Sequence, residues 1–258
     1  MKLLDPTSHS NWLEPHSIKW YKQLGQLQRK YEYSWNATIT EPNGEKRFDE
    51  EVMHIITGKK VLDVGCGHGE FTIQCGQKAK EVIGFDITDD FIATGKTLHT
   101  KNVSFVNGNS KKGLPFEQNT FDCAYIRKGP TSAYPLLKDV VKKGGYVVGL
   151  HPGNNTGKEL PHIFPHLFKQ STANTLQLVK NRLHSSHFST TEIEIFDSIE
   201  YLHSPIDVIK LRCFGQNPII INTLIAKNIE QITLLFNQNA TSNGLPITFQ
   251  RYIVRAKI

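Results

Sequence analysis

From Phe48 onward the chain alternates short apolar runs with amphipathic stretches. The segments "KKVLDVG", "KEVIGFDIT", "NVSFVNGN", "FDCAYIR" and "GGYVVGLHP" are rich in β-branched and aromatic residues and predict strands. Between them, "FDEEVMHIIT", the stretch after Gly69, "DDFIATGKTLHTK" and "YPLLKDVVKK" carry helical spacing, the third opened by Asp89 or Asp90 as a cap. Strands alternating with helices predict a parallel sheet built from right-handed crossovers.

Beyond His151 the rhythm changes. "GKELPHIFPHLFKQSTANTLQLVKNRL" predicts irregular chain passing into a helix. "TEIEIFDSIEYL" and "PITFQRYIVRAKI" alternate as strands. Between these lie the helix "SPIDVIKLRCFG", with Ser204 as its cap and Pro205 at its first position, and the longer helix "PIIINTLIAKNIEQITLLFNQ". The pattern predicts an antiparallel edge on the sheet, with the helical insertion folded over its top. Ahead of Phe48, Ile18, Tyr21, Leu24 and Leu27 stand at helical spacing, and "EPNGEKRF" predicts a turn. Three segments follow, which together make one domain: an aromatic, helical cap over 1–48, a ligand-binding core over 49–152, and lid helices with sheet-completing strands over 153–258.

Charge modifies this picture only slightly. The 258 residues carry a formal net charge of +6, with 7 basic and 7 acidic residues over 1–50, 13 and 10 over 51–152, and 10 and 7 over 153–258. The excess is spread along the chain in short pairs such as Lys59-Lys60, Lys111-Lys112 and Lys142-Lys143, so a solvated basic surface is favoured over a nucleic-acid partner. The four cysteines, Cys66, Cys75, Cys123 and Cys213, have no paired spacing for disulfides or a metal site, which points to a reducing, cytoplasmic location. Asp5 and Pro6 interrupt the opening "MKLLDPTSHSNW", which therefore does not read as a signal peptide. No run approaches the ~20 apolar residues of a membrane span, so no membrane association is expected.

The chemistry is concentrated in "VLDVGCGHGEF", Val61 to Phe71, where a buried-strand pattern breaks into Gly65, Gly67 and Gly69. A loop of this kind lies at the carboxyl end of a strand, where doubly wound sheets bind ligands. Dinucleotides require G-x-G-x-x-G, but Glu70 occupies the third glycine position and would set an anion against a pyrophosphate. A Walker loop is also absent, because no G-K-[ST] follows. Asp86 ends the second strand, where a carboxylate can accept from both hydroxyls of a ribose.

Asp63 followed by "GCGHG", with Asp86 and "NGNS" in order after it, resembles the class I S-adenosylmethionine-dependent methyltransferases over roughly residues 50–152. The resemblance implies a Rossmann-like, doubly wound α/β fold with a seven-stranded sheet, mostly parallel with an antiparallel edge strand, plus a helical lid. It implies S-adenosyl-L-methionine as cofactor and S-adenosyl-L-homocysteine as product. Cofactor contacts are implied at Asp63, Gly65, Cys66, Gly67, Asp86, Ile87, Asn109, Ser110 and Arg127. Asn109 stands where the family usually has an acidic residue; its amide oxygen can accept and its NH₂ can donate.

Methyl transfer from a sulfonium is an in-line displacement that positioning can promote without a triad. The amide-and-proline tip of the amino-group methylases of adenine or glutamine is replaced here by "IRKGP", and Cys123 sits mid-strand rather than as a pyrimidine-attacking nucleophile. The last hundred residues look similar to small-acid O-methyltransferases of the trans-aconitate type. With Arg127, Lys128 and Arg212 as candidate pocket cations, the expected acceptor is a small, anionic molecule attacked at oxygen or nitrogen. His151, at the end of the fifth strand, is the one candidate general base, or else a turn-stabilising residue before Pro152. Tyr33 and Trp35 would either close over the ligands or pack on the core. His162 and His166 share helical spacing, but Pro165 lies between them and no third ligand is evident, so no metal is expected. The alternatives are an RNA-base methyltransferase, a non-catalytic S-adenosylmethionine-binding protein and a nicotinamide oxidoreductase.

Overall fold

A computed structural model describes residues 3–98 and 100–258. Met1, Lys2 and His99, the last within the helix expected over 89–101, lie outside the described residues. In chain order the elements are α1 (Ile18–Gln28), β1 (Ala37–Ile39), α2 (Gly44–Ile55), β2 (Lys60–Val64), α3 (Glu70–Gly76), β3 (Glu81–Asp86), α4 (Asp89–Lys96), β4 (Val103–Asn107), β5 (Phe121–Arg127), α5 (Tyr134–Val140), β6 (Val141–Pro152), α6 (Leu160–Ile163), α7 (Thr175–Ser186), β7 (Thr190–Leu202), α8 (Pro205–Arg212), α9 (Pro218–Asn239) and β8 (Leu245–Lys257). The strands form an eight-stranded sheet in the order β1-β7-β8-β6-β5-β2-β3-β4. The pairs from β4 through β6 are parallel, and β8 runs antiparallel to β6. β2 lies between β3 and β5, at the point where the strand order reverses.

The α/β class and the alternation are as the sequence predicts, but several details differ. The sheet has eight strands rather than seven, because the three-residue β1 pairs antiparallel with Glu200–Leu202 of β7. The antiparallel β8 is internal, consistent with a burial pattern that is nearly continuous rather than alternating. Helix α2 begins at Gly44, so five of the eight residues of the expected turn "EPNGEKRF" are helical. Thr88 holds the N-cap position of α4, and Asp89 and Asp90 fall in its first turn, where they complement the helix dipole. Ser204 is at the N-cap of α8, but its hydroxyl donates to Asp207 Oδ2 at 2.5 Å instead of capping the backbone. The 22-residue α9 is long and apolar enough to cross a membrane by length and composition, contrary to the expectation that no segment approaches this.

The chain divides into two compact units. One comprises Gly44–Asn154, Asn174–Phe196 and Arg251–Ile258. Alternate residues of its strands feed two cores: Leu62, Val64, Ala124 and Ile126 pack with Tyr134, Leu137 and Val179, whereas Val61, Cys123 and Tyr125 pack with Phe48, Val52 and Cys75. The N-terminal turn of α2 is fixed electrostatically. Arg127 at the end of β5 donates to both carboxylate oxygens of Asp49, at 2.7 and 2.8 Å, while Lys128 and Arg251 reach Glu45 at 3.1 and 3.0 Å. Burial opposes ionisation of Glu45, but Lys128, Arg251 and Arg127 overcome it and hold its pKa at about 2.

The other unit comprises Met1–Asn43, Asn155–Ala173 and Asp197–Gln250. Its core includes Phe164, Leu167, Val208, Ile209, Leu224, Ile232 and Ile247. One face of α9 enters this core with Ile220, Leu224, Ile232 and Phe236, and between them the buried Asn228 exchanges hydrogen bonds of 2.9 and 3.0 Å with the Leu4 backbone. Tyr33 stacks on Trp35 at 4.4 Å, both meet Phe214 edge-on, and Trp35 Nε1 donates to Glu200 at 2.8 Å. The two aromatics therefore pack inside this unit.

Two features of the first unit set testable stabilities. A Cβ on Gly149 would overlap the Tyr134 hydroxyl, which is 2.8 Å from His151 Nε2. Gly149→Ala is expected to lower unfolding free energy by about 2 kcal/mol. The loss should be smaller in a Tyr134→Phe background, which urea unfolding of the double-mutant cycle measures; equal losses would rule the overlap out. Glu45 is depressed in the folded state, so its contribution is present above pH 4.5 and fades as the pH falls toward 2. Glu45→Gln should cost roughly 3 kcal/mol at pH 7, with the difference from wild type narrowing below pH 4.5. A pH-independent difference would contradict this.

Candidate functional site

The site is built at the carboxyl ends of β2 and β3. After Val64 the backbone turns through Gly65, Gly67 and Gly69 with φ of +81°, +56° and +84°, a region that L side chains rarely adopt. Packing gives two of these glycines a second reason. A Cβ on Gly65 would lie 2.7 Å from both Gly129 Cα and Pro130 Cδ, and one on Gly69 would overlap the Phe105 ring. The loop is pinned to β3 by its amides: the Gly65 and Cys66 N–H groups donate to Phe85 O at 2.7 and 3.2 Å. Gly67 N–H donates to Asp86 Oδ2 at 3.0 Å. Thr88 N–H takes the other oxygen of Asp86 at 2.8 Å, so this carboxylate ties the glycine loop to the start of α4. Burial raises the pKa of Asp86 against the backbone donors that favour its ionised form.

Asp63 is 2% exposed, inside β2. Its Oδ2 accepts from Thr72 at 2.7 Å and from Tyr125 at 2.8 Å, while its Oδ1 is buried with no partner among the described residues. Burial lifts its pKa to about 7, although the two hydroxyl donors act in the opposite direction. Thr88 Oγ1 is also buried, and its hydroxyl acts on Asp86 by favouring the ionised carboxylate. Buried polar atoms without a partner, such as Asp63 Oδ1, are rare in folded proteins and mark places where a ligand can complete the hydrogen bonding. Asp63 lies two residues before Gly65, and Thr88 two residues after Asp86.

The other residues singled out in the sequence fall as follows. Ile87 is half-buried directly after Asp86. The Cys66 thiol is pushed well up by burial and the nearby Asp63 and Asp86, so it stays protonated. Asn109 Oδ1 caps a 3-10 turn by accepting from Lys111 N–H at 2.9 Å. Ser110 is buried and its hydroxyl meets that of Ser132 at 3.0 Å. Arg127 is turned to Asp49 and lies over the Phe71 ring at 4.9 Å. In the other unit Arg212 donates to Leu167 O at 2.6 Å and lies over Trp12 at 4.6 Å. Arg127, Lys128 and Arg212 thus have partners within the fold. His151 is not at an open rim: it is 2% exposed, bonded to Tyr134, and burial lowers its pKa to about 4, which keeps it neutral.

Thr72, Tyr125, Thr88 and the Asp49 and Glu45 carboxylates are not singled out by the sequence. Tyr125 reaches Asp63 because the β2–β5 register sets them side by side, and nothing local signals that pairing. Thr88, two residues after Asp86, is within reach of a motif reading.

Residues 61–145 match the family model of a methyltransferase domain. A demethylmenaquinone methyltransferase from Staphylococcus haemolyticus is 32% identical over 128 residues, which is 45% of this chain and 53% of the relative. The chain thus spans about half the length of the curated relative it matches. Among solved structures, a functionally unknown protein from Deinococcus radiodurans R1 superposes with a TM-score of 0.63 at 18% identity, covering 93% of this chain and 97% of that one. The [4+2]-cyclase SpnF superposes with a TM-score of 0.54 at 14% identity, covering 93% and 91%. At these identities the structural likeness establishes the fold alone. Residues 61–145, with the G-x-G-x-G loop on the switch-point strand, are thus similar to a methyltransferase domain, carried on the fold that these solved structures share.

Proposed function

We propose that the protein binds S-adenosylmethionine against the glycine loop and transfers its methyl group to an oxygen or nitrogen of a small molecule. The observation that carries this reading is the buried Asp63 Oδ1, unpartnered among the described residues, at the end of the strand that leads into the Asp86-tied loop. Bound there, the cofactor supplies an electrophilic methyl on a sulfonium. The chain's own contribution is positioning. Asp86 keeps free lone pairs for ribose hydroxyls, Asp63 Oδ1 is available to accept from an ammonium, and Ile87 offers an apolar surface to the adenine. Asn109 Nδ2 and Ser110 complete the base end.

A small acceptor is supported by the Staphylococcus haemolyticus relative, whose name specifies demethylmenaquinone. With Arg127 and Lys128 neutralised by Asp49 and Glu45, an anionic acceptor loses its argument. His151, neutral and buried, is not assigned the base, so the acceptor would have to arrive as a ready nucleophile.

The deciding assay incubates the protein with methyl-labelled S-adenosylmethionine and cell extract, then separates small-molecule, RNA and protein fractions. Label in the small-molecule fraction is expected, and label confined to RNA or protein would overturn the acceptor class. Asp86→Ala should weaken S-adenosylhomocysteine binding roughly 100-fold by calorimetry, through loss of two charge-assisted hydrogen bonds; an unchanged Kd would remove Asp86 from the site. Asp63 gives a pH signature. Below pH 7 its carboxyl is protonated, and pairing with an ammonium requires the proton to leave. Affinity should therefore fall as the pH drops from 7 to 5, by up to about tenfold per unit, with proton release on binding. Asp63→Asn should remove this share of the slope, and an identical pH profile in the variant would sink the assignment.

A further inference from the structure

Basic residues that are dispersed in the sequence converge at the opposite, amino end of the parallel strands. The sheet register sets Val61, Cys123, Tyr146 and Lys257 in one row across β2, β5, β6 and β8. Lys59 precedes Val61 by two residues, so it emerges on the same face. Its Nζ lies 5.9 Å from the Tyr146 ring centroid, and Lys257 Nζ lies 5.8 Å from the same centroid. Tyr146 is 44% exposed, which is unusual for a large aromatic in the middle of a sheet. Neither Lys59 nor Lys257 makes an ion pair among the described residues. The neighbouring acid, Asp122, is already engaged: its Oδ1 accepts from Lys142 Nζ at 2.6 Å and its Oδ2 from the Lys60 backbone N–H at 2.8 Å. Lys143 stands exposed beside Lys142.

We propose that this face, centred on Tyr146 between Lys59 and Lys257, binds single-stranded nucleic acid. An exposed ring flanked by two ammonium groups offers what an unpaired strand presents together, a base face to stack and phosphates to neutralise. A rigid duplex hides its base faces and would leave the ring unused. Because β2 spans about 13 Å between Lys60 and Val64, the nucleic acid would dock away from the glycine loop. The face therefore serves for attachment and not for methyl acceptance, and binding there does not depend on methyl transfer.

The experiment is fluorescence anisotropy of the intact protein with a labelled oligouridylate of about 15 nucleotides, over a potassium chloride series. Wild type is expected to bind saturably with a linear log K against log salt. Lys59→Gln with Lys257→Gln should reduce the magnitude of that slope by about 1.4, two phosphate contacts at roughly 0.7 each. Tyr146→Ala should weaken binding roughly fivefold or more with little change in slope, and RNA duplex of equal length should bind more weakly than the single strand. Unfolding midpoints in urea confirm that each variant is folded. The proposal is overturned by no saturable binding at low salt, by wild-type binding that the variants leave intact, or by binding to phosphatidylserine vesicles in place of RNA.

Discussion

A carboxyl group buried away from solvent is the constraint around which the unit carrying the glycine loop is arranged. Asp63 sits inside the central strand β2, and burying an acid there is costly unless its oxygens are satisfied. Two hydroxyls, from Thr72 on α3 and Tyr125 on β5, serve one oxygen. The other has no partner among the described residues. The same residue thus bonds to two elements packed around β2 and presents a poised acceptor at the carboxyl end of the sheet. On the adjacent strand Asp86 acts in a matching way, since its two oxygens hold the loop and the start of α4 together.

The glycines show how a binding motif and a packing requirement coincide. All three loop glycines need positive φ, but Gly65 and Gly69 also have no room for a Cβ, because Pro130 and Phe105 press against them. Close approach of chain to chain therefore accounts for some of a pattern that the sequence suggests is for a ligand alone. Gly67 differs in that its amide donates to a side chain, the Asp86 carboxylate, whereas those of Gly65 and Gly69 donate to backbone carbonyls.

Charge is the feature whose meaning changes most between sequence and structure. Arg127, Lys128 and Arg212 read as candidate pocket cations, yet each is turned inward to a carboxylate, a carbonyl or an aromatic face. Conversely, Lys59 and Lys257 lie near opposite ends of the β-sheet sequence with no pattern linking them, but strand register brings both to one tyrosine. Long basic side chains reach several ångströms from their backbone, so their partners are set by neighbouring strands rather than by nearby sequence.

The sequence by itself determined the α/β alternation, the limits of most strands and helices, the glycine loop and its acidic partner at the end of β3. These depend on local periodicity and on backbone conformations that only certain residues allow. Tertiary structure alone decided the internal place of β8, the eighth strand at Ala37–Ile39, the Tyr125 and Thr72 partners of Asp63, and the burial of His151 against Tyr134. A three-residue strand has too few positions to show a period, and a buried hydrogen bond between distant residues leaves no trace in either local stretch. Register, not composition, brings such groups together.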